Sequence, residues 1–193
     1  MADQLAPSGA VDGDLRAAMP PASPELTVRV VEGLNVLALR HLAGGASAVE
    51  AALADHKLTP LPAPGACHGS DPWLLWNGPA EFLLLTSHRA LAQGVLQLLP
   101  PGREPLACAL DQSPGCLTLE LQGPGIEELL PRLLNASAIP RQVGQAGRTR
   151  LMDIGAVVLR KDHDCIWLVV DQSHGPYAAQ WITYAAQAEV GRI

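Results

Sequence analysis

The clearest hydrophobic pattern of this sequence lies in the middle of the chain. Over residues 117–122 every second residue is a leucine, and the residues between them are polar. This period of two predicts a strand with one buried face and one face in water. Gly123-Pro124-Gly125 then predicts a tight turn, because Pro cannot donate a backbone hydrogen bond and Gly adopts angles that Leu cannot.

The second half of the chain continues with a helix, two strands and a final helix. Helical spacing of Ile and Leu predicts a helix over residues 126–134, which Pro131 is expected to kink or shorten. The remaining elements are a polar loop at 139–147, strands at 149–159 and 166–170, and a helix that opens at Ser173 and carries Trp181 and Tyr184.

The first half shows similar elements in a similar order. Its predicted elements are a pair of strands at 26–30 and 34–39, a helix at 48–56 capped by Ser47, a loop at 59–71, a hairpin at 72–76 and 81–86, a helix after Ser87, and a strand at 106–110. Residues 1–24 are instead rich in Pro, Gly and small or acidic residues, which bury too little surface to offset the entropy of ordering. They predict a tail that is flexible or lies over a partner.

The two halves therefore match each other. Leu85-Thr86-Ser87-His88 and Val170-Asp171-Gln172-Ser173-His174 end the two hairpins alike, although a match this short also arises by chance. We predict an α+β fold of two ferredoxin-like halves, of the strand-helix-strand-strand-helix-strand type, that share one core. The domain covers residues 25–193, with halves at about 25–110 and 111–193.

Composition narrows the possible partners and compartments. Of the 193 residues 48% are hydrophobic and only 17% are charged, which indicates a buried partner surface or simply a composition rich in Leu and Ala. The net charge of -6 leaves no basic face for nucleic acid. The absence of a membrane-length apolar run and the acidic start at Asp3 argue against a membrane segment and a signal peptide, so we expect a cytoplasmic protein. The four cysteines form no C-x-x-C pair, and we expect unpaired, buried thiols.

Several residue pairs have the chemistry of catalytic or metal sites but lack the necessary context. Ser87-His88 and Ser173-His174 combine a nucleophile with a base, but neighbours at a helix start rarely face each other, and we interpret each Ser as an N-cap. The zinc-type groups Cys67-His68 with Asp71, and His163 with Cys165, both lack a second ligand pair. No phosphate-binding Gly motif is present either. The sequence thus predicts no catalytic, cofactor-binding or metal-binding residue in this chain.

The order of motifs across residues 73–187 resembles a known family. The motifs are Asp111-x-Ser113, the alternating strand, Leu121-x-Gly-Pro-Gly125, the Leu-rich helix, Gly147-Arg-Thr-Arg150, two apolar strands and the helix with Trp181. They resemble the gamma subunit of heterotetrameric sarcosine oxidase, which belongs with the folate-binding domains of the glycine-cleavage T-protein. In that family the hairpin after the Gly-rich segment carries an acidic pair, whereas this chain has only Asp153 there. We interpret Asp153 as a turn residue.

The resemblance implies a non-catalytic structural subunit of an oxidoreductase complex. Such a complex oxidatively demethylates sarcosine to glycine, makes hydrogen peroxide and passes the one-carbon unit to tetrahydrofolate. FAD, FMN, NAD and tetrahydrofolate are then held by the larger subunits and zinc by the small one, with none bound by this chain. The expected partners are the alpha, beta and delta subunits, alpha most directly.

Three residues are candidates for the interface with those partners. Arg148 and Arg150 can hold an anion bidentately, although ion pairs between subunits are our preferred interpretation. Trp181 is the third, and its truncation is expected to weaken either the core or the interface. The alternative function is a stand-alone tetrahydrofolate-binding or aminomethyltransferase-like protein, and a scaffold outside one-carbon chemistry also stays open.

Overall fold

The computed structural model describes residues 13–102 and 106–187. These residues form an α+β structure of ten strands and five α-helices. The strands are β1 (Thr27–Val30), β2 (Asn35–His41), β3 (Cys67–Gly69), β4 (Trp73–Gly78), β5 (Glu81–Thr86), β6 (Ala107–Asp111), β7 (Cys116–Gln122), β8 (Ala146–Leu151), β9 (Ile154–Asp162) and β10 (Cys165–Asp171). The helices are α1 (Gly13–Ala18), α2 (Ala46–Leu53), α3 (Arg89–Leu98), α4 (Ile126–Leu133) and α5 (Gly175–Gln187).

The chain divides into two compact units. The described residues of the first unit are 33–102 and 106–114, and those of the second unit are 13–32 and 115–187. The first unit carries an antiparallel sheet in the order β3-β4-β5-β2-β6. Without the short edge strand β3, this is the ferredoxin-like arrangement of two strand-helix-strand crossovers. Helices α2 and α3 bury Val49, Leu53 and Val95 in the apolar cluster of this unit.

The second unit repeats this arrangement with one change of connection. Its sheet has the order β1-β7-β10-β9-β8, so β7, β9, β10 and β1 occupy the positions of β2, β4, β5 and β6. The prediction of two ferredoxin-like halves is therefore confirmed. The two strands predicted at 26–30 and 34–39 are present but do not pair with each other, because Val28 pairs with Leu121 of β7 and Val36 pairs with Leu85 of β5. Strand β1 therefore belongs to the second unit, although it precedes β2 in the chain.

The segment predicted as a tail contains ordered structure from residue 13 onward. Helix α1 packs on α5 and buries Leu15 in the apolar cluster of the second unit. Thr183 of α5 donates a hydrogen bond to the carbonyl oxygen of Ala18 at 2.7 Å. One well-placed leucine thus anchors a segment whose composition predicts a tail. Residues 1–12 lie outside the described residues.

The central strand β7 is buried on both faces, so the predicted wet face is wrong. Thr118 and Glu120 are as inaccessible as the leucines that alternate with them. On this face β7 is covered by side chains of its neighbours β1 and β10, because Arg29 and Trp167 both contact Glu120. The same face of β10 and β9 is also buried, at Trp167 and Leu159.

Several local predictions need correction. Residues 149–159 do not form one strand, since β8 and β9 make a hairpin around Met152 and Asp153, with Met152 at a φ of 51°. Residues 67–69 of the predicted loop form β3, which pairs with β4. The predicted helix around Pro131 is short, as expected, and ends at Leu133. Among the described residues, no helix has the length and apolar character needed to cross a membrane.

Candidate interface site

Strand β8 presents both predicted arginines to solvent. Arg148 and Arg150 are exposed, and they line an open groove of about 580 Å³. The other lining residues are Leu133, Asn135, Ser137, Ala138, Thr149 and Met152. Arg150 donates from Nη2 to the carbonyl oxygen of Asp153 at 2.6 Å, whereas Arg148 makes no hydrogen bond or ion pair within the described residues. The guanidinium of Arg148 is thus available to an anionic group.

Asp153 lies in the two-residue turn between β8 and β9. Its predicted role as a turn residue is confirmed. The hydroxyl of Tyr177 on α5 donates to Oδ2 of Asp153 at 3.4 Å. The carboxylate therefore connects the β8–β9 hairpin to the start of α5.

Trp181 lies between two tyrosines on α5. Its ring packs edge-on against Tyr177, with centroids 6.2 Å apart, and against Tyr184, at 5.7 Å. Trp181 is half-buried against the apolar cluster of the second unit, whereas Tyr184 is 67% exposed. Such edge-to-face pairs hold their rings in fixed orientations.

The structure therefore brings the three predicted interface residues onto one continuous surface. Arg150 contacts Asp153, Asp153 contacts Tyr177, and Tyr177 contacts Trp181. We call this the β8–α5 surface, formed by Arg148, Arg150, Met152, Asp153, Tyr177, Trp181 and Tyr184. Arg, Trp and Tyr are enriched at the energetic centres of protein interfaces. Sequence reasoning missed the two tyrosines, although their spacing from Trp181 along a helix is a detectable signal.

The Ser-His pairs have structural roles that differ from the predicted ones. Asp71 accepts hydrogen bonds from Thr86 Oγ1 at 2.8 Å and from the amide and hydroxyl of Ser87. Helix α3 begins after His88, whose side chain caps nothing, so Ser87 is not its N-cap. In the second unit Asp171 accepts from the amide and hydroxyl of Ser173, and these bonds hold the pKa of Asp171 below its usual range. Each Ser therefore faces an Asp rather than the neighbouring His.

The cysteines form no disulfide in the described part of the chain, and only Cys165 is fully buried. Burial raises the pKa of Cys67 to about 12. Burial and the charge of Glu120 raise the pKa of Cys165 to about 11. Both thiols stay protonated at neutral pH, which makes them poor nucleophiles and poor metal ligands. Within the described residues, no three His, Cys, Asp or Glu side chains are grouped to hold a metal.

A buried carboxylate that sequence reasoning missed lies at the centre of the second unit's sheet. Glu120 is 2% exposed and accepts from Arg29 Nε at 2.7 Å and from Trp167 Nε1 at 2.8 Å. Lys161 Nζ lies 3.4 Å from Oε2 of Glu120 and 4.5 Å from the centre of the Trp167 ring. An acid in the middle of a leucine-rich strand was the signal in the sequence. The alternation alone suggested a solvent-exposed position instead.

We call Glu120 and its partners Arg29, Lys161 and Trp167 the Glu120 cluster. These partners keep the carboxylate of Glu120 ionised. Burial opposes ionisation, but the Trp167 hydrogen bond and the charges of Arg29 and Lys161 outweigh it and hold the pKa of Glu120 below its usual range. A carboxylate that stays ionised and fully paired is poorly suited to transfer protons near neutral pH. Its partners come from β1, β9 and β10, so the cluster joins four strands.

The first unit has an apolar groove of its own. Its volume is about 620 Å³, and its lining includes Leu42, Pro79, Ala80 and Leu106. Leu42 is 67% exposed and Leu106 is 47% exposed. Among the described residues, some of the many apolar side chains of this sequence are therefore exposed to solvent on this groove.

Comparison with known proteins identifies similar structures. No family model and no curated protein sequence matches the chain. The structure is similar to one chain of the heterotetrameric sarcosine oxidase from Corynebacterium sp. U-96, solved in complex with pyrrole 2-carboxylate. The TM-score is 0.76 at 28% identity, over 93% of this chain and 92% of that chain.

A second similar structure is the glycine cleavage system aminomethyltransferase T from Bartonella henselae. It has a TM-score of 0.59 at 11% identity, over 88% of this chain and 47% of the aminomethyltransferase. At this identity the similarity shows the fold alone. The similarity to the sarcosine oxidase chain confirms the resemblance inferred from the sequence, and the similarity to the aminomethyltransferase confirms the fold.

Proposed function

We propose that this chain is a non-catalytic structural subunit of a heterotetrameric sarcosine oxidase, corresponding to its gamma subunit. The observation that carries the proposal is the similarity to one chain of the Corynebacterium enzyme over nearly the whole length of both chains. A match of this extent fits a chain that occupies one subunit position in such an assembly. The reaction of the complex is the oxidative demethylation of sarcosine to glycine, with hydrogen peroxide formed and the one-carbon unit passed to tetrahydrofolate.

The roles of the titratable groups support a structural function. Asp71 and Asp171 hold serines at the ends of two hairpins, and Asp153 holds a turn. Glu120 is paired within its sheet. In this proposal FAD, FMN, NAD and tetrahydrofolate are bound by the larger subunits and zinc by the small one, in the cytoplasm.

Two surfaces support the proposal of protein partners. The apolar groove of the first unit and the β8–α5 surface of the second unit both carry exposed side chains of the types enriched in interfaces. We propose the alpha, beta and delta subunits as partners, with the large alpha subunit in most direct contact.

The test is purification of the tagged chain from its native host, with identification of the proteins that accompany it. The expected result is a stoichiometric complex with larger subunits, a visible flavin spectrum, and hydrogen peroxide production that depends on sarcosine. Other N-methyl amines serve as comparison substrates. A colourless monomer that binds tetrahydrofolate in calorimetry would overturn the proposal in favour of a stand-alone folate protein. A monomer that binds no folate would overturn both functions.

A further inference from the structure

Strand β8 is an open edge of the second unit's sheet. It is the last strand in the order β1-β7-β10-β9-β8. Its outer side is contacted at the C-terminal end by the segment that follows α4, and the short 3-10 turn Ala136–Ala138 of that segment also lies close to the strand. At that end Leu134 bridges to Leu151, and the amide of Met152 donates to the carbonyl oxygen of Leu133 at 3.1 Å. A strand edge of this kind is a template for another strand.

The hydrogen-bond alternation shows which backbone groups face outward. In an antiparallel pair joined by a two-residue turn, Leu151 and Ile154 exchange hydrogen bonds, and every second pair does the same. Gly147 and Thr149 therefore bond to β9, in the same phase as the bond from the Arg160 amide to the Gln145 carbonyl oxygen at 2.9 Å. The backbone amides of Arg148 and Arg150 point away from the sheet.

The groove beside this edge has the chemistry to hold an extended acidic segment. Its floor includes Leu133, Ala138 and Met152, and its polar groups include Asn135 and Ser137. Exposed guanidinium groups of Arg148 and Arg150 add positive charge along the same strand, although the whole chain carries -6. In strand addition the backbone supplies affinity, and the side chains beside the edge supply specificity.

We infer that β8 is a docking edge on which an acidic, extended segment of a larger partner subunit pairs as an additional strand, with the aromatic residues of α5 flanking it. This inference rests on the proposed function, because the partner is a subunit of the same complex. A second copy of this chain is disfavoured as the occupant. Two β8 strands paired to each other would place arginines of like charge beside one another.

Two variants at residue 148 separate the contribution of its backbone amide to partner binding from that of its guanidinium. Arg148→Pro removes the outward amide and blocks pairing, yet it leaves the bonds to β9 intact because those use Gly147 and Thr149. Arg148→Thr also removes the guanidinium but keeps the amide and suits a strand. The two variants therefore differ in whether residue 148 can donate its backbone amide to an added strand. Thermal unfolding of each isolated variant checks that the fold is retained.

The readout is the affinity of each tagged variant for the partner subunits that the wild-type chain carries from its native host. We expect Arg148→Pro to weaken binding by about tenfold or more and Arg148→Thr by about threefold or less. Equal affinities for the two variants would overturn the inference. If both bind as wild type, the edge is unused, and if both are equally weak, the guanidinium alone is the contact.

Two further results keep this test separate from that of the proposed function. If the wild-type chain carries no flavoprotein subunit, the proposed function fails and the inference falls with it. If it carries one and Arg148→Pro carries as much, the inference alone fails.

Amide hydrogen exchange tests the same point without substitution. We expect the Arg148 and Arg150 amides to exchange rapidly in the isolated chain and about tenfold or more slowly in the complex, while Gly147 and Thr149 are slow in both. Unchanged exchange at Arg148 and Arg150 on complex formation would overturn strand addition.

Discussion

The two units of this protein have the same sheet order, but one edge strand comes from different parts of the chain. This strand, which we call the fourth strand, is β6 beside β2 in the first unit and β1 beside β7 in the second. In the first unit β6 follows α3 in sequence, as in an ordinary ferredoxin-like fold. In the second unit β1, which precedes all described residues of the first unit, takes that position. The comparison shows that the sheet requires a strand beside its central strand but does not require the neighbouring segment of sequence to supply it.

The contact that holds the fourth strand is similar in both units. A Cβ at Gly45 would lie 2.2 Å from the carbonyl oxygen of Leu106, just before β6. A Cβ at Gly123 would lie 2.3 Å from the carbonyl oxygen of Glu25, just before β1. The chain leaving the central strand thus approaches the fourth strand so closely in each unit that only glycine fits.

The second face of the sheet differs between the units. In the first unit Ala38 of the central strand lies opposite Leu83 and Leu110. In the second unit Glu120 of the central strand lies opposite Arg29 and Trp167. The detached strand β1 is therefore held by an ion pair as well as by apolar contacts, whereas β6 is not held by an ion pair at the corresponding place.

Substitution of the two contact glycines is expected to have the largest effect. Gly123→Ala introduces overlap with backbone and places a side chain at a φ of 132°, so we expect a loss of about 4 kcal/mol or more. Gly45→Ala has the overlap without positive φ and should cost about 2–4 kcal/mol. Urea unfolding measures both, with Gly147→Ala as the control, because a Cβ there meets nothing within 4 Å. Equal losses for Gly123→Ala and Gly147→Ala would contradict the contact.

Removal of the buried carboxylate should come next. Glu120→Ala removes the acceptor of the Trp167 Nε1 hydrogen bond and the ion pair with Arg29, so we expect a loss of about 2–4 kcal/mol in the free energy of unfolding. The control is Arg40→Ala, which removes a half-exposed ion pair with Glu81 in the first unit and should cost about 1 kcal/mol or less. Similar losses for both variants would show that burial does not distinguish the pairs.

A smaller loss of stability is expected on substitution of Asp71 and Asp171, the two aspartates that accept hydrogen bonds from serines. Asp71→Ala also leaves the buried Thr86 hydroxyl without the acceptor for its proton, so it should cost about 2 kcal/mol. Asp171→Ala removes only exposed bonds to Ser173 and should cost about 1 kcal/mol. Chemical denaturation of both variants measures the difference. A larger loss for Asp171→Ala would reverse the expected order.

Acid titration should show the smallest effect. The pKa of Glu120 is lower in the folded chain than in the unfolded chain, so its contribution to stability is complete above the unfolded pKa. That contribution is lost as the pH falls through the folded pKa. Glu120→Gln should therefore lose less stability than wild type between neutral and acidic pH in a series of urea unfolding curves. Parallel pH profiles would contradict an ionised Glu120.

The predictable part of the fold came from local patterns. Alternating leucines marked β7, the Asn77-Gly78 pair marked the β4–β5 hairpin, and Gly123-Pro124-Gly125 marked the turn before α4. The failures came where a short segment was decided by distant contacts. Examples are α1, which depends on burial of Leu15, and β3, which exists only as a partner of β4.

The candidate site was predicted in its members but not in its arrangement. Arg148, Arg150 and Trp181 could be named from the resemblance, and Asp153 was correctly expected in a turn. Their connection through Tyr177 depends on how α5 packs against the β8–β9 hairpin. Glu120 was missed because period two predicts one wet face, which holds only for a strand whose sheet has one face in water.

The sequence by itself determined most of the elements and the repeated order of strands and helices, although not α1, β3 or the division between β8 and β9. These follow from the spacing of apolar residues and from Gly and Pro at the turns, which act within a few residues. Only the tertiary structure decided that β1 joins the second unit, that Glu120 is buried, and that β8 is an open edge. Those features depend on which strands become neighbours, and pairing between segments far apart in sequence leaves little trace in the local pattern.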